Sequence, residues 1–170
     1  LVVLDEAYIE YASASDLPDG LDYLARHANL IVSRTFSKAY GLAALRVGYA
    51  LSSAQVAEVL NRVRQPFNVN SLALDAACAA LADEQYLAAS RALNDAGMQQ
   101  LEAGFSALGL RWISSRGNFI TLDLGRDAAP INQALLHKGV IVRPLAGYGL
   151  ANFLRISIGT DAECQALVEA

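Results

Sequence analysis

The sequence predicts an α/β fold in two parts, and three features of the chain lead to that prediction. The chain opens on an apolar run that ends at Asp5, which is typical of a strand covered by helices on both faces. A short helix and a second apolar run at residues 29–33 follow, and this order predicts a right-handed parallel crossover unit. A long helical stretch at residues 84–108 then leads into a series of shorter elements. We therefore expect a first part at residues 1–85 and a second part at residues 86–170.

The first part adds a loop, a third strand and two further helices to the crossover unit. Serine side chains ahead of the first of these helices are suited to cap it. The loop is predicted at residues 13–20, helices at residues 21–26, 53–63 and 71–81, and the third strand at residues 46–51.

The second part is predicted to contain four strands and two helices, with Gly-rich turns between them. The strands are predicted near Trp112 and at residues 118–124, 140–143 and 153–158, and the helices at residues 130–137 and from residue 161 onward. Because the chain begins in mid-strand, we also expect it to be the C-terminal part of a longer protein.

Composition excludes several classes of function. The 170 residues are 54% apolar and 18% charged, with a net charge of −4, so no basic surface for nucleic acid or anionic membrane is expected. The apolar stretches are too short or too interrupted to span a bilayer. Cys78 and Cys164 lie far apart, and His27 and His137 are isolated, so we expect buried inert thiols, no metal site and a reducing, cytoplasmic setting.

Polar residues follow the predicted strands at the points where those strands end. Asp5 closes the first strand, Thr35, Ser37 and Lys38 follow the second, and Arg46 opens the third. Ligands of open α/β sheets bind beyond the carboxyl ends of strands, where hydroxyls, N–H groups and a guanidinium form an anion site. Taken singly, Asp5 could be a turn residue, Lys38 a solvated side chain and Arg46 one half of a surface ion pair.

Together these residues match the requirements of pyridoxal phosphate. Its aldehyde needs a lysine amine to form an imine, and its ring nitrogen needs a carboxylate to stay protonated. Its phosphate needs an anion site that holds the cofactor when the lysine is displaced.

Two motifs with their spacing resemble the class II branch of the fold-type I aminotransferases, and in particular the histidinol-phosphate aminotransferase family. They are DEAYIE at residues 5–10 and RTFSKAYGLAALRVGY at residues 34–49. The resemblance covers the whole chain and implies part of a large-domain sheet plus a small C-terminal α/β domain. It also implies roles for residues that contact the cofactor: Asp5 at the ring nitrogen, Tyr8 at the ring hydroxyl, Thr35, Ser37 and Arg46 at the phosphate, and Lys38 in the imine.

The same resemblance implies a substrate pocket in the second part. Arg155 corresponds to the arginine that binds the substrate α-carboxylate, Arg143 to one near a distal phosphate, and Asn118 to an asparagine near the pocket. From their sequence context alone, both arginines could be solvated strand ends. The implied reaction converts histidinol phosphate and 2-oxoglutarate into imidazole acetol phosphate and glutamate, in a homodimer.

Three alternatives stay open. Related enzymes with similar motifs act on aromatic amino acids or decarboxylate phosphothreonine, and the chain could also be a non-catalytic α/β interaction domain. Family members carry cofactor contacts in an N-terminal half, so we expect these 170 residues alone to be inactive.

Overall fold

The structure, a computed structural model, describes residues 1–12 and 17–170. The chain forms two compact units, Leu1–Ser90 and Arg91–Ala170. The loop predicted at residues 13–20 lies partly outside the described residues, at residues 13–16. Over the described part of the chain, every helix is too short or too polar to traverse a bilayer.

The first unit contains a three-stranded sheet and helices, in the order predicted. Its elements are β1 (Val2–Asp5), α1 (Leu21–Leu24), β2 (Leu30–Thr35), β3 (Gly48–Ser52), α2 (Ala54–Val63) and α3 (Ser71–Ala82). A further helix, α4 (Glu84–Ala107), begins in this unit and ends in the second.

Side-chain caps explain where two of these helices begin. Ser53 Oγ accepts a hydrogen bond from the backbone N–H of Val56 at the start of α2, as its position predicts. Asn70 accepts one from the backbone N–H of Ala73 at the start of α3, at 2.8 Å. Each cap satisfies one of the N–H groups that the first turn of a helix leaves without an intrahelical partner.

The strand order β1-β2-β3 puts β2 in the middle of the sheet. β1 and β2 are parallel, as predicted, whereas β2 and β3 are antiparallel. Leu30, Ile31 and Val32 of β2 are buried. This arrangement brings the end of β1, the end of β2 and the start of β3 to one edge of the sheet.

β1 differs from the prediction of a strand covered on both faces. Val2, Val3 and Leu4 are 49%, 58% and 37% exposed, although they are as apolar as the buried residues of β2. β1 is one of the two edge strands and has a single neighbour, so its side chains lack the cover that the central strand receives from elements on both sides.

The second unit is a four-stranded antiparallel sheet with helices. Beyond α4, its elements are β4 (Arg111–Ile113), β5 (Phe119–Asp123), α5 (Ala129–His137), β6 (Arg143–Leu145), β7 (Leu150–Ser157) and α6 (Asp161–Glu169), and the strand order is β4-β5-β7-β6. Its core consists of buried residues from α4, β5, β7 and α6: Leu101, Phe105, Ile120, Leu122, Ile156 and Cys164.

The sixth strand lies later in the chain than predicted. The apolar run at residues 140–142 is outside the strand, and pairing begins at Arg143 opposite Arg155. Ile141 is 84% exposed, so the run is not buried in the manner that its composition suggests. Pro144 then lies within the edge strand, where a missing N–H is tolerated.

Candidate active site

In the first unit, residues that the sequence places at three strand ends lie at one edge of the sheet. Asp5 pairs in register with Ser33 across β1 and β2, and Thr35 pairs with Gly48 across β2 and β3. Because β3 is antiparallel to β2, the residues that precede Gly48 lie beside those that follow Thr35. The fold therefore brings Asp5, the Lys38 turn and Arg46 to a common edge.

Lys38 lies in a turn whose neighbours are fixed by burial. Phe36 and Ala39 are 3% and 1% exposed, while the Lys38 side chain is half-buried. The backbone N–H of Phe36 donates to the carbonyl of Val47 at 3.2 Å, and that of Gly41 donates to the carbonyl of Lys38 at 2.9 Å. These anchors leave the Lys38 amine 5.3 Å from the centroid of the Tyr8 ring.

Two features of the backbone at the end of this turn require a glycine at residue 41. Gly41 has a φ of 72°, in the left-handed region that favours glycine. A Cβ atom at this position would lie 2.6 Å from the hydroxyl of Tyr86. The close approach of Tyr86 thus depends on the absence of a side chain at Gly41.

Hydroxyls and a guanidinium surround the start of the lysine turn. The backbone N–H of Ser37 donates to Thr35 Oγ1 at 3.1 Å. Arg46, a non-glycine residue with a φ of 53°, directs one guanidinium nitrogen to Ser37 Oγ at 3.5 Å and to the carbonyl of Ala43 at 3.1 Å. A left-handed conformation costs about 1–3 kcal/mol and is concentrated at functional sites. Hydroxyl, N–H and guanidinium donors of this kind are suited to a phosphate.

Asp5 and Tyr8 complete this group from the β1 side. The Asp5 side chain is exposed and accepts a hydrogen bond from the backbone N–H of Ala7 at 3.2 Å. Tyr8 follows on the same connection and is half-buried. The carboxylate, the phenol and the lysine amine are therefore supplied by two neighbouring strand ends.

An ion network at this edge was missed in the sequence interpretation. Arg34 donates to Glu6 through Nε at 3.0 Å and to Asp19 at 2.7 Å, and Glu6 also accepts from the backbone N–H of Gly20 at 2.7 Å. The side chains of Arg34 and Glu6 are 13% and 10% exposed. Burial alone would lower the pKa of Arg34, but hydrogen bonds to Glu6 and Tyr49 and the charge of Asp19 raise it above its usual value.

The effect of this network is to join three segments beside the candidate site. Glu6 directly follows Asp5, Arg34 directly precedes Thr35, and Asp19 belongs to the connection ahead of α1. The network therefore holds the two strand ends that carry the Asp5 and Lys38 groups. No sequence signal pairs Glu6 with Arg34, because 28 positions separate them.

In the second unit, Arg143 and Arg155 face each other across β6 and β7 as register partners. Directly opposed like charges destabilise a sheet, so this pairing needs a compensating reason. The Arg155 guanidinium carbon lies 3.8 Å from the centroid of the Phe119 ring. Arg143 donates to the hydroxyl of Tyr148 at 2.9 Å.

A cavity of about 630 Å³ beside β7 and α6 is lined by core residues of α4, β7 and α6 as well as by both arginines. The Arg155 side chain projects from the opposite face of the sheet, because the flanking Leu154 and Ile156 are buried, and Arg143, its register partner, projects from that same face. Asn118 directly precedes β5, and its backbone carbonyl accepts a hydrogen bond from Ile158 at 2.9 Å. Two guanidiniums on one face have the chemistry that an anionic ligand requires.

The predicted residues thus fall into two groups, one in each unit. Asp5, Tyr8, Thr35, Ser37, Lys38 and Arg46 belong to the first unit, and Asn118, Arg143 and Arg155 belong to the second. Within the described residues, no three His, Cys, Asp or Glu side chains cluster in a way that could hold a metal ion.

Comparison with known proteins identifies the family of the chain. The family model for aminotransferase class I and II matches residues 1–170. The chain is similar to histidinol-phosphate aminotransferase 2 of Pseudomonas aeruginosa, with 74% identity over all 170 residues, and to its namesake in Pseudomonas fluorescens, with 75% identity. It covers 46% of each of these proteins, so it spans about half the length of the curated relatives that it matches.

A solved structure supports the same relationship. The chain superposes on histidinol-phosphate aminotransferase from Sinorhizobium meliloti, which was crystallised in complex with pyridoxal-5'-phosphate. The TM-score is 0.90 with 37% identity, and the match covers all of this chain and 47% of that protein. The predicted α/β fold class and the predicted family resemblance are confirmed by these comparisons.

Proposed function

The chain belongs to the class I and II aminotransferases, and from that premise we propose that its protein is a pyridoxal-phosphate-dependent histidinol-phosphate aminotransferase. The reaction transfers an amino group from histidinol phosphate to 2-oxoglutarate and yields imidazole acetol phosphate and glutamate. The observation that carries the proposal is the Lys38 turn, where an amine, a carboxylate and a phosphate-type donor set converge at one sheet edge. The chain spans about half of its relatives, so the proposal concerns the full-length protein.

The residues of the first unit fit the cofactor. Thr35, Ser37 and Arg46 supply two hydroxyls, a backbone N–H and a guanidinium for its phosphate. Asp5 supplies a carboxylate for the ring nitrogen, and Tyr8 supplies a phenol for the ring hydroxyl. Bound pyridoxal phosphate supplies an aldehyde that captures amines and a protonated ring that withdraws electrons from the substrate.

Lys38 has two tasks in this proposal. Its amine would hold the bound cofactor covalently, and when free it would hold the proton that leaves the substrate Cα. The half-buried position of Lys38, against the Tyr8 ring, holds the amine at the sheet edge and limits water around it.

The arginines of the second unit bind the anionic groups of the substrates. Arg155 holds the α-carboxylate of glutamate, Arg143 lies at the phosphate of histidinol phosphate, and Asn118 contributes to the pocket. Their cross-strand pairing supports this assignment, because the mutual repulsion of two guanidiniums is relieved when an anion binds between them. Two arginines also accommodate either a dianionic phosphate or a carboxylate.

Domain roles and assembly belong to the same proposal. Residues 1–85 are the C-terminal portion of the cofactor-binding domain, and residues 86–170 are the small domain. The full-length protein is a cytoplasmic homodimer. Support comes from exposed apolar side chains at the end of α2, in the segment that follows it and at the start of α3: Val63 is 75%, Phe67 is 96% and Leu72 is 75% exposed. A patch of this kind is typical of a protein interface, and light scattering on the full-length protein measures the assembly.

Borohydride reduction tests the cofactor site. The full-length protein is incubated with pyridoxal phosphate and reduced, and the modified lysine is then identified by peptide mass spectrometry. Lys38 is expected to carry the label, and Lys38→Ala is expected to lose both label and turnover. The chain's other lysine, Lys138, is exposed, so Lys138→Ala is the matched control and keeps both.

Substrate preference is tested by turnover. Histidinol phosphate is expected to be turned over with a much higher kcat/KM than phenylalanine. A preference for phenylalanine would make the protein an aromatic amino-acid aminotransferase. A folded full-length protein that takes no label on Lys38 would refute the enzyme assignment altogether.

A further inference from the structure

Tyr148 is an exposed tyrosine whose hydroxyl is nevertheless engaged by an arginine of the candidate pocket. It ends the 3₁₀ turn Ala146–Tyr148 that follows β6, and 68% of it is exposed. Arg143 donates to the Tyr148 hydroxyl at 2.9 Å, and its guanidinium carbon lies 5.6 Å from the centroid of the ring. The ring therefore reaches back five residues to contact the guanidinium with both its face and its polar tip.

We propose that Tyr148 is a positioning residue for Arg143, and that the Arg143–Tyr148 pair determines the preference of the pocket for phosphorylated substrates. This inference rests on the proposed function, because it gives Arg143 a phosphate to bind. It assigns to Tyr148 a role that packing does not require, since an exposed ring contributes little to the core.

The first argument is conformational. Arg143 is exposed, and a free arginine side chain has about 2 kcal/mol of rotamer entropy to lose when it is fixed. The hydrogen bond to Tyr148 fixes the guanidinium before the substrate arrives, so less entropy is lost on binding. Repulsion from Arg155, the register partner, would otherwise turn Arg143 away from the face that both share.

The second argument concerns charge. A carboxylate could fix Arg143 equally well, but it would neutralise the guanidinium and compete with the substrate anion. The phenol of Tyr148 is neutral and leaves the positive charge available. Its oxygen accepts the hydrogen bond from Arg143, so it orients the guanidinium without adding a negative charge beside it.

The backbone around Tyr148 is built to hold this position. Leu145, immediately before the turn, is 8% exposed, and the register of β6 against β7 shifts between Pro144 and Leu145. Gly149 follows with a φ of 78°, and its N–H donates to the carbonyl of Ala146 at 3.0 Å. The turn is thus anchored at one end by a buried leucine and closed at the other by a glycine.

Tyr148→Phe in the full-length, cofactor-loaded protein tests the inference, because it removes the hydroxyl and keeps the ring. Hydrogen bonds to charged groups contribute about 1.5–3 kcal/mol, so the KM for histidinol phosphate is expected to rise at least about tenfold. For phenylalanine, which carries no phosphate, both kcat and KM are expected to stay within about twofold of the wild-type values. Inorganic phosphate is expected to inhibit the variant more weakly than the wild type.

Two further variants distinguish positioning from a general effect. Tyr23→Phe is the matched control, since Arg26 lies over the Tyr23 ring at 5.2 Å in the other unit, and it is expected to leave all constants unchanged. In an Arg143→Lys background, Tyr148→Phe is expected to have no further effect, because the guanidinium that it positions is gone. If Tyr148→Phe raises the KM for histidinol phosphate by the same factor in the wild type and in the Arg143→Lys background, the inference is overturned.

The inference and the proposed function fail in different ways. If the wild type turns over histidinol phosphate and Tyr148→Phe has the same KM, only the role of Tyr148 is refuted. If the wild type does not turn over histidinol phosphate, the proposed function is refuted. In that case the wild type and Tyr148→Phe are each titrated with inorganic phosphate in a calorimeter. Equal Kd values for phosphate would overturn the inference.

Discussion

Arg34→Met is expected to destabilise the protein strongly, because it leaves the Glu6 carboxylate buried without its cation. The Glu6 side chain is 10% exposed, and breaking a buried pair from one side costs about 3–5 kcal/mol. Glu6 keeps the hydrogen bond from the backbone N–H of Gly20, which puts the expected loss near the lower end, at about 3 kcal/mol. The bond to Asp19, whose carboxylate is 46% exposed, adds at most about 1 kcal/mol.

Urea unfolding of the full-length protein at constant cofactor concentration measures this loss. Arg62→Met is the matched control: the Arg62–Glu58 pair is 70% and 65% exposed, so the change is expected to be below about 0.5 kcal/mol. The double variant Arg34→Met/Glu6→Met is expected to recover more than half of the loss, since apolar replacement of a buried pair is often neutral. A loss below about 1 kcal/mol for Arg34→Met, or simple additivity in the double variant, would refute the reasoning.

Three other substitutions test separate parts of the structure. Gly41→Ala forces a left-handed alanine against the Tyr86 hydroxyl, so we expect a stability loss of about 1–3 kcal/mol and weaker cofactor binding, measured by absorbance titration. Leu101→Ala empties a fully buried position in the second unit and is expected to cost about 2–5 kcal/mol in urea unfolding. Hydrogen bonds from the backbone N–H and hydroxyl of Thr160 hold the pKa of Glu163 below its usual 4.5, so its carboxylate stabilises the protein above that pH and loses the effect as pH falls through the folded-state pKa. Glu163→Gln is therefore expected to lower the Tm at pH 7, with a difference from wild type that shrinks below pH 4.5; a difference independent of pH would contradict this account.

Local chemistry made most of the secondary structure predictable. The serine pair Ser52 and Ser53 predicted α2 to within one residue of its start, and the spacing of apolar residues predicted α4 from Glu84 to within one residue of its end. The short helix between two apolar runs predicted the parallel pairing of β1 and β2. These signals were sufficient because a cap or a periodic face depends on residues that are close in sequence.

Contacts between distant residues were beyond the reach of the same reasoning. The Glu6–Arg34 bond spans 28 positions, and the pairing of Arg143 with Arg155 requires the register of an antiparallel ladder. The apolar run at residues 140–142 predicts a sixth strand that begins too early in the chain. In the structure, Ile141 within that run is 84% exposed and the ladder starts at Arg143.

The hydrogen-bond partners of each arginine indicate whether it stabilises the fold or is available to bind an anion. Residue type alone does not make this distinction. Arg34 bonds two carboxylates, which neutralise it and commit it to holding strand ends together. Arg46 bonds a hydroxyl and a carbonyl, and Arg143 bonds a phenol, so their partners orient the guanidinium without cancelling its charge. Such an arrangement costs stability, through the left-handed backbone of Arg46 and the like-charge pairing of Arg143. An anionic ligand at each place would recover that cost, and this is the physical reason to assign both arginines to binding.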